Sequence, residues 1–564
     1  ASRLVKWENE NDILHDSQNG FRKGRSTIDH IKSLTSIIET RKLKRLSTFV
    51  ALIDFRKAYD GINRAMLFQK LFDLGICGNI YNAILSLYKS VECCVRINGH
   101  QPDWFNVQCG LKQGCLLSPL LFNLYINGLA TYIDSLDIGI DIDGEKVSML
   151  LYADDLVFLS NTETELQTLL DALDLWCTDN KMTINDNKSN IVHFRPNSFP
   201  RSQTIFHCGN HILQTVERYT YLGLVFTEHL DYNVMAKYVA AAASRALGLV
   251  ISKYKGLGGL PFGTCTKLYD SMVWSTISYG AAVWGDKSFS CINAVQNKAI
   301  RFFMGVGRYT PNVAVNGDSG WTPPFVKQWR VIINYWNRLR YMDENRINKK
   351  IDNWAEQNFR RHRVCKNSNF RIYSLFESCG IANLFNDTDI DKQQVNNAIH
   401  VKLMSDFKQK WNEDLHKDTT RRNGPGGNKL RTYRTFKQDV YTELYLDKLI
   451  IPSHRRAYSQ FRCGVAPIRV ETGRYESLPI DQRTCFVCDD KIENEEHVLT
   501  ECPLYDDLRD ELYKFLNFEN ENFSLLPNSL KLSFILASDN INVIQKCAKT
   551  CKLILDRRRR FLYR

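Results

Sequence analysis

A chain of 564 residues with 44% hydrophobic and 24% charged side chains has ordinary globular composition and room for several domains. No stretch approaches the roughly 20 apolar residues of a membrane span, and Ala1-Ser2-Arg3 does not read as a secretory signal, so membrane-embedded and secreted classes are not expected. The 74 Lys and Arg against 62 Asp and Glu give a formal charge of +12, a bias towards anionic partners, and the 17 cysteines spread along the chain fit a reducing compartment with most thiols buried.

To about residue 228 short apolar strands alternate with helical periodicity. The spacing predicts a strand over Thr48–Phe55, a helix over Arg64–Phe72, a strand over Val91–Ile97 and a long apolar helix over Leu116–Leu129 behind Gly114. A hairpin turn carrying Asp154 and Asp155 follows, between the apolar runs Val147–Leu151 and Leu156–Leu159. Then come a helix from Glu163 to about Asn180 and strands at Asn190–Phe194 and Tyr221–Phe226. This interleaving suggests an α+β domain with helices on one face of a mainly antiparallel sheet. From about 229 the pattern is helical: Ala-rich Met235–Lys255, a Gly/Pro break at Gly256–Gly263, then 265–280 and 291–304. The stretch 345–480 is basic and poor in strand signals, with a loop or linker expected at Asn423–Asn428. Basic runs fall at Arg41–Arg45, Arg360–Arg363, Arg421-Arg422, Arg455-Arg456 and Arg557–Arg560. Any one run reads as a solvated helix face; five, with 12% aromatic residues to stack on bases, point to nucleic acid.

Two adjacent aspartates at a hairpin turn project into one small volume, where a cation relieves their repulsion. A Tyr-x-Asp-Asp string arises by chance in about one chain in ten of this length, so Tyr152-Ala153-Asp154-Asp155 needs partners upstream. Asp54 ends a buried β run and could meet Asp154 across adjacent strands; alone, it is equally a surface or capping aspartate. Two Mg²⁺ held between them could activate a sugar hydroxyl and stabilise a pyrophosphate leaving group. Tyr59, five residues on, could floor a nucleotide pocket. In Gly110-Leu111-Lys112-Gln113-Gly114 the glycines permit close backbone approach and Gln113 can hydrogen-bond a sugar or base, although an ordinary loop before a core helix reads the same way. Ser118-Pro119 is expected to break the early register of the helix that follows.

In order, the segments GFRKGRST (20–27), LIDFRKAYDGI (52–62), GLKQGCLLSPLLFNLYI (110–126), YADD (152–155), NDNKSNIVHF (185–194) and YLG (221–223) resemble the successive motifs of reverse transcriptases, most closely the non-LTR (LINE-type) retrotransposon group. The resemblance implies a right-hand polymerase with partial fingers, a palm built on an antiparallel sheet and a helical thumb. Asp54 and Asp154 would be metal ligands, with Asp155 the companion carboxylate and the Phe55 carbonyl an added ligand for two catalytic Mg²⁺. Lys188 would lie near the triphosphate, placed to protonate pyrophosphate. Tyr59 would gate against ribonucleotides, Gln113 and Gly114 would contact dNTP and template, Tyr152 would border the substrate, and Tyr221, Leu222 and Gly223 would grip the primer. Arg22, Lys23 and Arg25 would face template or triphosphate, Arg22 best suited to phosphate by its planar fork. The stretch from Leu268 through Ser278-Tyr279-Gly280 to Gly285 resembles the helical region that follows the palm in these elements, with Trp274 where proline is expected. Family members carry more fingers sequence before GFRKGRST, so an amino-terminally truncated reading frame or fragment is expected, and no endonuclease.

Cys485-x2-Cys488-x8-His497-x4-Cys502 is a second, independent signal. Closed thiolate and imidazole coordination suits one structural Zn²⁺, and the polar spacer Asp489–Glu496 does not read as core. Its context resembles the carboxy-terminal zinc segment of some non-LTR elements, which implies help in binding element RNA or target DNA. The expected organisation is 1–228 fingers and palm, 229–344 thumb, 345–480 basic helical region, 481–510 zinc module and 511–564 terminal helices. The expected activity is copying of element RNA onto a DNA primer with dNTPs, in the nucleus, with no membrane partner. The alternative is a decayed or repurposed nucleic-acid-binding protein; an RNA-directed RNA polymerase is disfavoured by bulky Tyr59.

Overall fold

The computed structural model describes residues 1–99, 101, 103–362, 365–387, 390–417 and 428–562. Arg363, Arg421-Arg422 and Asn423–Gly427, the last holding most of the expected linker, lie outside the described residues. The chain divides into two compact units.

The first unit holds residues 1–235 with two later segments, 282–286 and 332–392. Helices α1 (Ser2–Glu10) and α2 (Thr27–Leu43) lead into β1 (Thr48–Ile53), followed by α3 (Arg64–Asp73), α4 (Gly78–Lys89) and a short ribbon, β2 (Glu92–Cys93) with β3 (Phe105–Asn106). Next come α5 (Ser118–Asp134), the ribbon β4 (Ile140–Ile142) and β5 (Glu145–Val147), then β6 (Met149–Tyr152), β7 (Asp155–Ser160) and α6 (Glu163–Asp179). The remaining strands are β8 (Asn190–Phe194), β9 (Phe206–Cys208), β10 (His211–Thr215), β11 (Arg218–Tyr221) and β12 (Leu224–Thr227). Six strands form the main sheet in the order β6-β7-β1-β8-β10-β9, antiparallel except where β10 runs parallel to β8.

Strand β1 lies at the centre and is buried along its whole length. Phe49, Ala51 and Ile53 share an apolar core with residues of α5 and α6. Val50 and Leu52 point the other way and are equally buried, and α2 packs on β1 and β6. Helices therefore cover both faces, not one. A capping box between Ser26 and Asp29 starts α2, and the later helix Ile347–Arg361 packs on the side of α2 away from the sheet. Asp29, fully buried, is met by Arg338 Nη2 at 2.6 Å and the Tyr335 hydroxyl at 3.0 Å, while Asn348 Nδ2 donates to the Asp29 carbonyl at 3.1 Å.

Three local expectations change. Val91–Ile97 forms only the two-residue β2, exposed against β3, because no sheet face covers it. Ser118-Pro119 opens α5 instead of breaking it, proline fitting the first helical turn where its missing N–H is not needed. Tyr221–Phe226 is a hairpin, not a strand: Leu222 and Gly223 both have positive φ (44° and 79°) and turn β11 back into β12.

The second unit, residues 236–281, 287–331 and 393–564, is helical. The Ala-rich helix α7 (Tyr232–Gly256) begins at the boundary between the units. Its most apolar window has mean hydropathy 1.5, so by length and composition alone it reaches what a bilayer crossing needs, correcting the expectation that no stretch comes close. At the core of this unit Asp318 takes Arg462 Nε and Nη2, both at 3.1 Å, and the hydroxyls of Tyr433 and Tyr445 at 2.9 and 2.8 Å.

Candidate active site and metal centre

Strand register brings the distant aspartates together. Ile53 pairs with Leu156, so one step further along the two antiparallel strands sets Asp54 against Asp155. Tyr152 pairs with Asp155 across a two-residue loop, Ala153-Asp154. Burial pushes Asp155 up to about 6, helped by the charges of Asp154 and then Asp54; burial also raises Asp154, with Asp54 adding to it. Three carboxylates thus crowd one another, and the cation facing Asp54 is Lys188, its Nζ 4.0 Å from Oδ2 on a side chain 69% exposed. A hard divalent ion with oxygen ligands fits this donor set.

The loop after α6 fixes Asp54. Asn185 Nδ2 donates to Asp54 Oδ2 at 2.8 Å, the Asn185 N–H to the Asp54 carbonyl at 2.7 Å, and the Asp54 N–H to Ser189 Oγ at 3.1 Å. Next in sequence, Phe55 is buried and bridges Ile184. The Tyr219 hydroxyl donates to the Lys188 carbonyl at 2.8 Å, and burial with Asp155 and Asp54 pushes that hydroxyl up to about 12. Beyond it, Tyr221 meets His30 Nε2 at 2.6 Å, and burial pushes His30 down to about 3, so the imidazole is neutral.

Residues 54–62 and the Gly-x-x-Gln-Gly turn lie side by side. Gly110 and Leu111 donate to the carbonyls of Ile62 and Tyr59, both at 2.8 Å, and a Cβ on Gly110 would sit 2.6 Å from the Asp60 carbonyl oxygen. Gln113 Nε2 donates to Asp60 Oδ1 at 2.9 Å, at the surface, and Gly114 has φ +82°. The Tyr59 ring stacks on Phe122 at 4.6 Å, its buried hydroxyl has no hydrogen-bond partner among the described residues, and burial followed by Asp154 raises its pKa.

The guanidinium expected to meet a phosphate is engaged inside the fold. Arg22 Nη1 donates to the carbonyls of Leu14, His15 and Gln18, and Arg25 is paired with Asp16 and donates to Gln18. Lys23, between them, is exposed. The basic runs are likewise partly spent within the protein: Arg41 on Thr48 and Ser47, Arg360 on Glu356, Arg455 on Tyr254, Arg557 on Asp507 and Arg558 on Glu493. Arg456, Arg559 and Arg560 are exposed.

Sequence reasoning passed over Gln18. This side chain, 2% exposed, accepts from the Ala153 N–H at 2.8 Å and the Gly20 N–H at 2.7 Å, and its Nε2 donates to the Ala153 carbonyl at 3.2 Å. Its one sequence signal was a place two residues before GFRKGRST.

In the second unit, Cys485, Cys488, His497 and Cys502 offer ligand atoms all within 4.8 Å of one another. The Cys485 and Cys502 sulfurs are 3.7 Å apart, against about 3.8 Å for two thiolates on a tetrahedral ion with bonds of about 2.3 Å. The His497 Nε2 is buried with no hydrogen-bond partner among the described residues, while its Nδ1 faces Glu501 Oε2 at 3.3 Å. A carboxylate on the far ring nitrogen is the usual support of a metal-bound imidazole. Glu501, unnoticed in the sequence, is held in turn by Lys491 at 3.1 Å and Asn528 at 2.8 Å. Burial, with the Cys485 and Cys488 sulfurs, pushes Cys502 up to about 12. A bound cation would reverse that and hold the thiols as thiolates. The knuckle is not a detached module: buried Glu493 takes Arg558 through both oxygens, at 2.8 and 2.6 Å, and Glu495 takes Arg431.

A family profile described as reverse transcriptase (RNA-dependent DNA polymerase) matches residues 2–226. Among curated relatives, the Pol polyprotein of a type-1 retrotransposable element R2 from Popillia japonica is 28% identical over 221 residues, 38% of this chain and 31% of that protein. The RNA-directed DNA polymerase from mobile element jockey of Drosophila melanogaster is 23% identical over 325 residues, 55% of this chain and 34% of its own length. The chain thus spans about a third of the length of these relatives. Among solved structures, apo telomerase from Candida tropicalis aligns with a TM-score of 0.33 at 14% identity, over 70% of this chain and 58% of that one.

Proposed function

We propose that this chain, whose residues 2–226 belong to the reverse transcriptase family, is the RNA-directed DNA polymerase of a non-LTR retrotransposon, extending a DNA primer on element RNA by two-metal nucleotidyl transfer. The observation that carries this reading is the β1–β7 register, which sets Asp54 beside the Asp154-Asp155 turn in a family-matched segment.

Asp54, Asp154, Asp155 and the Phe55 carbonyl would hold two Mg²⁺. Bound there, the ions would lower the pKa of the primer 3′-hydroxyl and neutralise charge gathering on the pyrophosphate leaving group. The protein's own part is positional. Asn185 and Ser189 orient Asp54, and the strained Ala153 turn aims its two carboxylates. Lys188, exposed on its long stem, would follow the triphosphate and give a proton to departing pyrophosphate. The Tyr59 ring, braced on Phe122, would crowd a 2′-hydroxyl and so select deoxynucleotides. Gln113 and Gly114 would border dNTP and template, and the Tyr152 ring the substrate. The hairpin Tyr221-Leu222-Gly223 would grip the primer. Of the three basic residues near the amino terminus, exposed Lys23 is the one left to meet phosphate.

The Cys485, Cys488, His497 and Cys502 cluster would hold one structural Zn²⁺. Target-primed synthesis in the nucleus is the setting this reading implies.

The test is primer extension by the full chain on an RNA template with Mg²⁺ and dNTPs, beside Asp154→Ala. Extension by the native protein and none by the variant is expected. Equal template binding with no synthesis by either would replace this reading with that of a non-catalytic nucleic-acid-binding protein.

A further inference from the structure

We propose that Gln18 is a positioning residue for the carboxylate turn: its side-chain amide holds Ala153 in the left-handed conformation that aims Asp154 and Asp155 at Asp54. Its activity readout rests on the polymerase reading; its metal-binding readout does not.

The turn is loaded in two ways. Ala153 has φ +56° at the first position of a two-residue hairpin loop, a place that ordinarily selects glycine, because a Cβ there crowds the following backbone. The turn also carries two carboxylates that burial and mutual charge disfavour, with Asp54 adjacent. The backbone strain at Ala153 is met from the amino-terminal segment. The Gln18 amide pairs with Ala153 as a neighbouring strand would, accepting its N–H and donating to its carbonyl. Backbone bonds beside it, Asn19 N–H to the Leu151 carbonyl at 2.8 Å and Leu151 N–H to the Ser17 carbonyl at 3.0 Å, fix the register of this added strand.

The sequence around Gln18 serves the same contact. A Cβ on Gly20 would lie 2.2 Å from the Ala153 nitrogen, so only glycine admits the approach. Arg25 and Arg22 donate to the Gln18 carbonyl at 3.2 and 3.4 Å, tying the clamp to the rest of the amino-terminal segment. At this size only an amide both accepts and donates: Glu loses the donor and Met loses both.

The test compares Gln18→Met, Ala153→Gly and their combination in the full chain. The readouts are Mn²⁺ binding by loss of the free-ion EPR signal, the Mg²⁺ dependence of primer extension, and kcat against the dNTP KM. Gln18→Met is expected to weaken Mn²⁺ binding and raise the Mg²⁺ requirement about tenfold, the lower end for losing a residue that supports metal ligands. It should lower kcat and leave KM unchanged. Adding Ala153→Gly, which removes the left-handed penalty, should recover most of both losses. A merely structural residue would lose activity in step with its melting temperature, with unchanged metal dependence and no recovery from Ala153→Gly; that outcome, or full activity in Gln18→Met, overturns the proposal. Should Gln18→Met fail to fold, Gln18→Glu, which keeps the acceptor towards both N–H groups, carries the same comparison. If the native chain binds Mn²⁺ in a manner lost in Asp154→Ala but extends no primer, the polymerase reading falls and the clamp is judged on Mn²⁺ binding alone.

Discussion

Two aspartates, Asp155 half-buried in the first unit and Asp318 buried in the second, meet opposite treatment. Burial raises Asp155 to about 6, and its nearest charged company, Asp154 and Asp54, has the same sign. Burial pushes Asp318 up as well, yet Arg462, bonded to both of its oxygens, more than offsets this and holds it below the usual carboxylate range. Around Asp318 the other polar groups are also matched: two tyrosine hydroxyls donate to it, and Glu443 takes both Lys437 and Arg462. The second unit uses a buried carboxylate to hold helices together. The first keeps three in mutual repulsion, an arrangement that stabilises nothing until a cation arrives.

Breaking the compensated pair should have the largest effect. Arg462→Met leaves Asp318 buried without its counter-charge and is expected to destabilise the second unit by about 3–5 kcal/mol in chemical denaturation. An unchanged midpoint would erase the contrast. Breaking the uncompensated cluster should go the other way. Asp155→Asn is expected to abolish extension and yet stabilise the metal-free protein at pH 7.5 by about 2–3 kcal/mol, since its folded-state pKa of about 6 exceeds the model-peptide value of 3.8. The pH dependence has a definite sign. Between about pH 4 and pH 6 the folded protein holds a proton on Asp155 that the unfolded chain has released. Metal-free native protein should therefore gain stability as pH falls through 6 and lose it towards pH 7.5, and Asp155→Asn should flatten that part of the curve. A native curve without this slope would count against the crowding of the carboxylates. The smallest effect is expected at Glu501→Gln, which removes the charge behind His497 Nδ1 and should weaken zinc binding about 10–100-fold in chelator competition while leaving the ligands in place. Equal zinc retention by native and variant protein would remove Glu501 from the metal centre.

Much of this was legible in the sequence where a short segment determines its own structure. The strand Asn190–Phe194, the helix from Glu163 and the hairpin around Asp154 follow from periodicity within a few residues. Cys-x2-Cys spacing announced the Cys/His cluster because a knuckle is local, and Glu501, four residues after His497 on one turn, was equally open to view. Other features depend on distant contacts. The Tyr221–Phe226 run has strand composition, but Leu222 and Gly223 take positive φ and turn it back on itself. Gln18 looks like any polar residue before a glycine; only the approach of Gly20 to Ala153, 133 positions away in sequence, gives it a partner. Basic runs hid the most detail, because charge counts do not reveal that Arg41, Arg455 and Arg558 are buried and spent on the fold.

The late segment that covers α2 imposes a schedule on synthesis. Asp29 and Asn348 touch although they are 319 positions apart in sequence. At ribosomal rates of about 5–20 residues per second, α2 waits about 15–60 s for the helix that seals its outer side. During that interval the nascent chain presents Ile and Leu side chains together with an aspartate lacking its arginine, the kind of surface that chaperones hold. A ribosome stalled shortly before residue 332 would thus hold a chain with Asp54, Asp154 and Asp155 all made and its first unit unclosed.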